Sequence, residues 1–149
     1  MNEIMFYKVN DLYGEFSNFS PYGFILDKKY WATVEHYFQA QKFFDLTLQE
    51  KIRSMDSPMK AAIEGRKKEN PLRPDWDKVK DQIMYKAVKA KFTQNIKLLN
   101  LLLSTGSKNL IEHTPNDSYW ADGGNGRGKN MLGTILMKVR DELFLENKI

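Results

Sequence analysis

The order of patterns along the chain predicts an α+β fold, predominantly helical, with a small N-terminal antiparallel sheet. Three observations carry that expectation. The opening third alternates and turns in the manner of short strands. The middle repeats apolar residues at helical spacing. Only brief strand candidates follow before a closing amphipathic helix, an order foreign to a parallel wound sheet.

In order, IMFYKV suits a short strand, DLYGEFSNFSPYG is turn-rich, and GFILDKKYW reads as a hairpin around Asp27-Lys28. From Thr33, a fitting N-cap, Val34, Tyr37, Phe38, Gln41 and Phe44 recur at helical spacing, which predicts a helix to about Phe44. LTLQEKIRSM predicts a short helix, and Ser57-Pro58 gives a cap followed by proline at the first helical position, opening PMKAAIEGRKK. ENPLRPD is a loop. DWDKVKDQIMYKAVKAKF has an acidic first turn and keeps Val79, Ile83, Ala87 and Ala90 near one face, so it is expected to be the longest helix. Asn95 opens IKLLNLLLST and Gly106 closes it. LIEHT and SYWAD are strand candidates, GGNGRGKN is a loop, and MLGTILMKVRDELF is the final helix.

With 149 residues, 42% hydrophobic and 28% charged, the chain reads as one soluble globular domain over 1–149. The absence of cysteine excludes disulfides and thiolate zinc sites, and the two histidines, His36 and His113, fall in no metal-ligand pattern. The start does not read as a signal peptide and no apolar run is long enough to span a membrane, so a cytoplasmic location without membrane partner is expected. A net charge of +4 permits contact with phosphates but does not define a nucleic-acid binder.

Two stretches concentrate chemistry. In TVEHYFQAQKF, Glu35, Gln39 and Lys42 share a polar edge beside the apolar stripe of Val34, Phe38 and Gln41. With Thr33 as cap, Glu35 lies in the first turn, where the helix dipole favours the carboxylate, as suits a base or a stabiliser of positive charge. The same spacing fits an acid placed at a helix start above a core of aromatics. His36 points elsewhere and reads as a structural side chain.

The second stretch is YWADGGNGRGKN. Residues 123–129 match G-x-x-x-x-G-K, but Asn130 stands where a nucleotide-triphosphate loop needs Ser or Thr, so an NTPase is rejected. What remains is either an anion cradle of glycine N–H groups, Arg127 and Lys129 before a helix N-terminus, or a glycine-rich connection. Trp76, near Arg73 and the basic cluster Arg66, Lys67 and Lys68, is either a core anchor or a platform for a flat ligand.

FSNFSP, TVEHYFQAQKF, DW at 75–76, MYKAVKAKFTQN, LLSTG, and YWADG with GKNMLGTILMKVR together resemble the NADAR family of YbiA-like N-glycosidases over nearly the whole chain. The resemblance implies a YbiA-like fold and metal-free, cofactor-free hydrolysis of N-glycosidic bonds. The implied substrates are phosphoribosylamino-pyrimidine intermediates of riboflavin synthesis, or, in other members, ADP-ribose on guanine bases. One departure is Ala121, where the family's motif has glycine; a position needing positive φ would be strained by it.

Breaking a ribosyl C–N bond passes through an oxocarbenium-like state, which calls for a carboxylate, a water and a stabilised leaving base. Glu35 is the expected carboxylate, with Asp122 binding ribose hydroxyls or sharing the water. Trp76 or Trp120 would stack on the heterocycle. Lys42, Arg127 and Lys129 are the expected phosphate contacts, with Asn18 and Asn130 for polar contacts. The expected partner is a small ribosylated nucleobase-like molecule. An ADP-ribosyl hydrolase acting on DNA or RNA would need a longer cleft with a second phosphate site around Arg66, Lys67 and Arg73. A non-catalytic ADP-ribose or nucleotide binding module would not need Glu35. No obligate protein partner is indicated.

Overall fold

A computed structural model describes residues 2–147. Its strands are β1 (Glu3–Phe6), β2 (Phe24–Leu26), β3 (Lys29–Trp31) and β4 (Asn109–Glu112). Its helices are α1 (Val34–Ala40), α2 (Leu46–Arg53), α3 (Pro58–Gly65), α4 (Trp76–Gln94), α5 (Ile96–Ser104) and α6 (Met131–Glu146). The α+β, mainly helical reading holds, and α4 is the longest helix as expected. The strands, however, form two separate pairs: β2 and β3 are the antiparallel hairpin, whereas β1 pairs in parallel with β4 from the far end of the chain. The sheet is thus not confined to the N-terminus. Ile4, Phe6 and Leu110 alternate inward on this parallel pair and are buried, which fixes its register.

The hairpin turns where expected, with Asp27 and Lys28 both at positive φ (53° and 66°), as a tight two-residue connection requires. Thr33 caps α1 by accepting the His36 N–H at 3.1 Å, Asp45 caps α2, and Ser57 caps α3 ahead of Pro58. The first helix is shorter than predicted and ends at Ala40. Beyond it the carbonyls find other partners: Lys42 accepts the Arg73 N–H at 2.8 Å and Phe43 accepts the Gln49 side chain at 2.6 Å. Phe44, expected in the core, is exposed beneath the Arg73 guanidinium, 4.3 Å from its ring centre.

SYWAD forms no strand. Its carbonyls instead accept N–H groups from the other limb of the glycine-rich loop and from the start of α6. Ala121 is fully buried and is not among the described residues at positive φ, so the strain anticipated there does not arise.

Helix α4 contacts both α1 and α6, and α6 packs on β4. Two side chains connect these layers to the surrounding loops. Lys91 of α4 is buried and donates to Glu15 O at 2.6 Å, Ser17 O at 3.0 Å and Ser20 Oγ at 2.9 Å, fixing the loop that carries Asn18. Asn130, at φ 52°, accepts the Glu112 N–H and donates to Leu110 O, gripping β4 at two points.

Candidate functional site

A cavity of about 820 Å³ opens between α1, the 17–19 loop, α3 and the end of β4. The 17–19 loop contributes Ser17, Asn18 and Phe19. Helix α1 and the residues after it contribute Glu35, Phe38, Gln39 and Lys42, and α3 with its C-cap contributes Met59 and Arg66. Glu112, Thr114, Asn116, Asp117 and Trp120 close the opposite side.

Glu35 sits at the centre of the polar edge the sequence predicted. Its N–H donates to Asn18 O at 3.1 Å, and its carboxyl accepts the Gln39 amide at 2.7 Å, one helical turn on. Only 5% of Glu35 is exposed. Burial therefore pushes its carboxyl above the usual range, opposed by the Gln39 hydrogen bond and by Arg66 and Lys42, with Asp117 adding to the rise. This corrects the expectation that the first turn of α1 favours the ionised form of Glu35: desolvation outweighs the helix dipole. The Lys42 amine is also half-buried, and burial lowers its pKa against the attraction of Glu35. Two buried polar atoms of lining residues, Asn18 Oδ1 and Gln39 Oε1, have no partner among the described residues; Gln39 Oε1 abuts Gly65 of α3, which leaves Asn18 Oδ1 as the one suited to a ligand.

The wall is aromatic. Trp120 meets Phe38 edge to face at 5.3 Å between ring centres, and Phe38 meets Trp76 in the same way at 5.0 Å. Trp120 is the indole that reaches this cavity; Trp76 is 7% exposed and lines a second hollow of about 460 Å³ with Lys67, Lys68 and Leu72. Lys42 and Arg66 line both hollows and so mark their junction.

Of the residues singled out from the sequence, Glu35, Asn18, Lys42 and Trp120 come together. Asp122, Arg127, Lys129 and Asn130 lie outside the lining, each for a visible reason. Both carboxyl oxygens of Asp122 are engaged: Oδ1 accepts the Thr114 and Gly124 N–H groups and Oδ2 pairs with His113 Nδ1 at 2.7 Å. Most N–H groups of the glycine-rich loop are already engaged: Gly123 and Gly124 donate to Asp117 O and Asp122 Oδ1, and those from Arg127 to Leu132 donate within the 118–125 segment. Lys129 lies over the Tyr119 ring at 5.2 Å, Arg127 is exposed, and the Asn130 side chain is committed to β4. His36 is structural, as expected, held between Thr33 Oγ1 and Met55 O.

Sequence reading missed Glu112 and Asp117. Glu112 follows Leu110 by two in a strand, so it shares Leu110's inward face, a signal present in LIEHT. Asp117 lies in a turn, where its Oδ1 accepts the Tyr119 and Trp120 N–H groups, and no periodicity announces it.

The arrangement of Asp122 yields a prediction. Burial acts to raise its pKa, but His113 and the Gly124 and Thr114 N–H groups outweigh burial and hold it below the ordinary carboxylate value. Its stabilisation is therefore present above the unfolded pKa and is lost as pH falls through the lower folded pKa. Asp122→Asn keeps an acceptor for the two N–H groups and loses the charge, at a cost of about 1 kcal/mol. Thermal unfolding from pH 7 to pH 3 should show the two proteins converging as the pH falls; parallel curves would contradict the assignment.

The cavity thus joins a buried carboxyl, two basic side chains and an aromatic wall in one α+β fold. The chain belongs to the NADAR family, whose domain description matches residues 5–144. It is 53% identical to N-glycosidase YbiA of Shigella boydii serotype 4 over 96% of this chain and 89% of that protein. It is 41% identical to a riboflavin biosynthesis protein of Vibrio vulnificus over 94% of this chain but 38% of that longer protein. The NMR structure of the Escherichia coli protein YbiA superposes with a TM-score of 0.92 at 51% identity, covering 99% of this chain and 88% of that one. By family the chain is an enzyme of the N-glycosidase class, which sets aside the non-catalytic binding module. No described helix is long and apolar enough to cross a membrane.

Proposed function

We propose that the enzyme hydrolyses the ribosyl C–N bond of phosphoribosylamino-pyrimidine intermediates of riboflavin synthesis. The observation that carries this reading is the meeting in one cavity of buried Glu35, the cations Lys42 and Arg66, and the Trp120 ring. The kinship with a riboflavin biosynthesis protein supplies the substrate class. The pyrimidine stacks on Trp120, backed by Phe38, while Lys42 and Arg66 receive the 5-phosphate. Arg66 has no carboxylate partner among the described residues, so it is free for that role. Glu35 stabilises the positive charge that develops at the anomeric carbon and takes a proton from the attacking water. Asn18 contacts the ribose hydroxyls, and its loop is held by Lys91. Asp122 acts one step away, by fixing the Thr114 to Gly124 loop beside the cavity.

A second reading, removal of ADP-ribose from guanine in DNA or RNA, is favoured by one observation. The second hollow extends the cleft past Lys42 and Arg66 toward Lys67, Lys68 and Trp76, as a diphosphate ligand would need. Arg73 does not join it, being paired with Asp75. Side-by-side product assays separate the two: release of ribose 5-phosphate from the pyrimidine substrate supports the first reading. Release of ADP-ribose from modified guanine, with the pyrimidine untouched, replaces it with the second.

A further inference from the structure

Glu112 has no part in the account so far, yet it is held as firmly as Glu35. Its N–H donates to Asn130 Oδ1 at 3.0 Å and its carbonyl accepts the Asp122 N–H at 2.9 Å. Its side chain, by contrast, makes no hydrogen bond or ion pair among the described residues, and it lines the cavity that Glu35 lines from α1. In the same lining Asn18 Oδ1 is buried and has no partner among the described residues, as at a ligand position.

From these placements, and resting on the N-glycosidase reading above, we infer that Glu112 is the acid of the reaction and protonates the departing nitrogen. The C–N bond breaks with its electron pair passing to nitrogen, which takes the Glu112 proton. Water adds its oxygen to the anomeric carbon and gives its proton to Glu35. Solvent in the open cavity then carries a proton from Glu35 back to Glu112, so that one water is consumed and the free amine and ribose 5-phosphate leave.

The surroundings divide the two roles. Burial raises the carboxyl of Glu35 too, but there the Gln39 amide, Arg66 and Lys42 oppose the rise. The charges acting on Glu112 are all acidic, those of Asp117, Glu35 and Asp122. On the partner strand Phe6 lies beside it, with Tyr7 and Lys8 following at the cavity rim, and α6 meets β4 with Gly133 and the Asn130 amide. Burial first, and those three carboxylates next, push the Glu112 carboxyl up to about 7, the range in which an acid is effective at neutral pH. Both carboxyls are raised by burial, and what separates them is their neighbours: cations and an amide donor at Glu35, carboxylates alone at Glu112.

The experiment compares the parent with Glu112→Gln on the pyrimidine substrate, together with a ¹³C NMR titration of the glutamate carboxyl groups. Glu112→Gln should lower kcat by about a hundredfold with little change in KM. It should also abolish the fall of parental kcat as pH rises past about 7. The variant should fold: a carboxyl raised in the fold loses stability as pH climbs from its unfolded value through about 7, so glutamine should raise the Tm at pH 8. A kcat within threefold of the parent, or a retained alkaline limb, overturns the assignment. In the titration the Glu112 carboxyl should titrate near 7 and fall when Glu35 is changed to Gln. Titration in the ordinary 4 to 5 range overturns the assignment without reference to activity. A parent that releases no ribose 5-phosphate while Glu112 still titrates near 7 sinks the substrate reading instead.

Discussion

Glu35→Gln lowers kcat on the ribosylated substrate by about a thousandfold while leaving KM within a few-fold of the parent. The size follows from what is removed. The amide keeps the shape of the side chain and its contact with Gln39, but it neither accepts a proton from water nor stabilises the oxocarbenium-like state, effects each worth two to four orders of magnitude, or about 3–5 kcal/mol. The fold should tolerate the change, because burial makes the carboxylate form of Glu35 costly. Steady-state release of ribose 5-phosphate, alongside circular dichroism of both proteins, checks it. Parental turnover by a folded variant would remove Glu35 from the mechanism.

Gly133→Ala is expected to have the largest effect on stability. A Cβ at this position would stand 2.0 Å from Leu110 O and 2.3 Å from Asn130 Nδ2, so α6 would have to withdraw from β4. The obstacle is a backbone carbonyl in a paired strand, which cannot rotate away as a side chain would. Overpacking of this kind costs about 3 kcal/mol, a fall in Tm of about 6–12 °C for a domain of this size. The same withdrawal would disturb Glu112, two residues beyond Leu110. Activity should therefore fall more steeply than the folded fraction, and an unchanged melting curve would show that the helix does not need this approach.

The two changes separate what was legible in the sequence from what was not. Caps and turns are local and were readable: Thr33, Ser57 with Pro58, the Asp27-Lys28 turn and Gly106 all act where their types predict. The polar edge of Glu35, Gln39 and Lys42 was readable because i and i+4 spacing is a property of one helix. The parallel pairing of β1 with β4 was not, since it joins segments about a hundred residues apart and leaves no local trace. That pairing places Glu112 on the cavity that Glu35 also lines, so the missed strand partner and the missed carboxyl have one cause.

The glycine-rich stretch failed for a different reason. Its composition is that of an anion loop, but whether N–H groups are free depends on the carbonyls opposite, here those of residues 118–122. The N-x-L-G and final Arg pattern is likewise structural. Asn130 grips β4, Gly133 admits its close approach, and Arg140 donates to Thr105 Oγ1 and Lys108 O. The signature marks the scaffold that holds β4, whose last residue, Glu112, lines the cavity.

The central claim is that chemistry occurs in the cavity between α1 and β4 and not at the glycine-rich loop. Backbone and indole NMR shifts during titration with ribose 5-phosphate test it most directly. Saturable shifts should appear at Asn18, Glu35, Gln39, Arg66 and the Trp120 indole, with Gly126, Arg127 and Lys129 unmoved. Saturable shifts centred on 124–129, with α1 silent, would contradict the account.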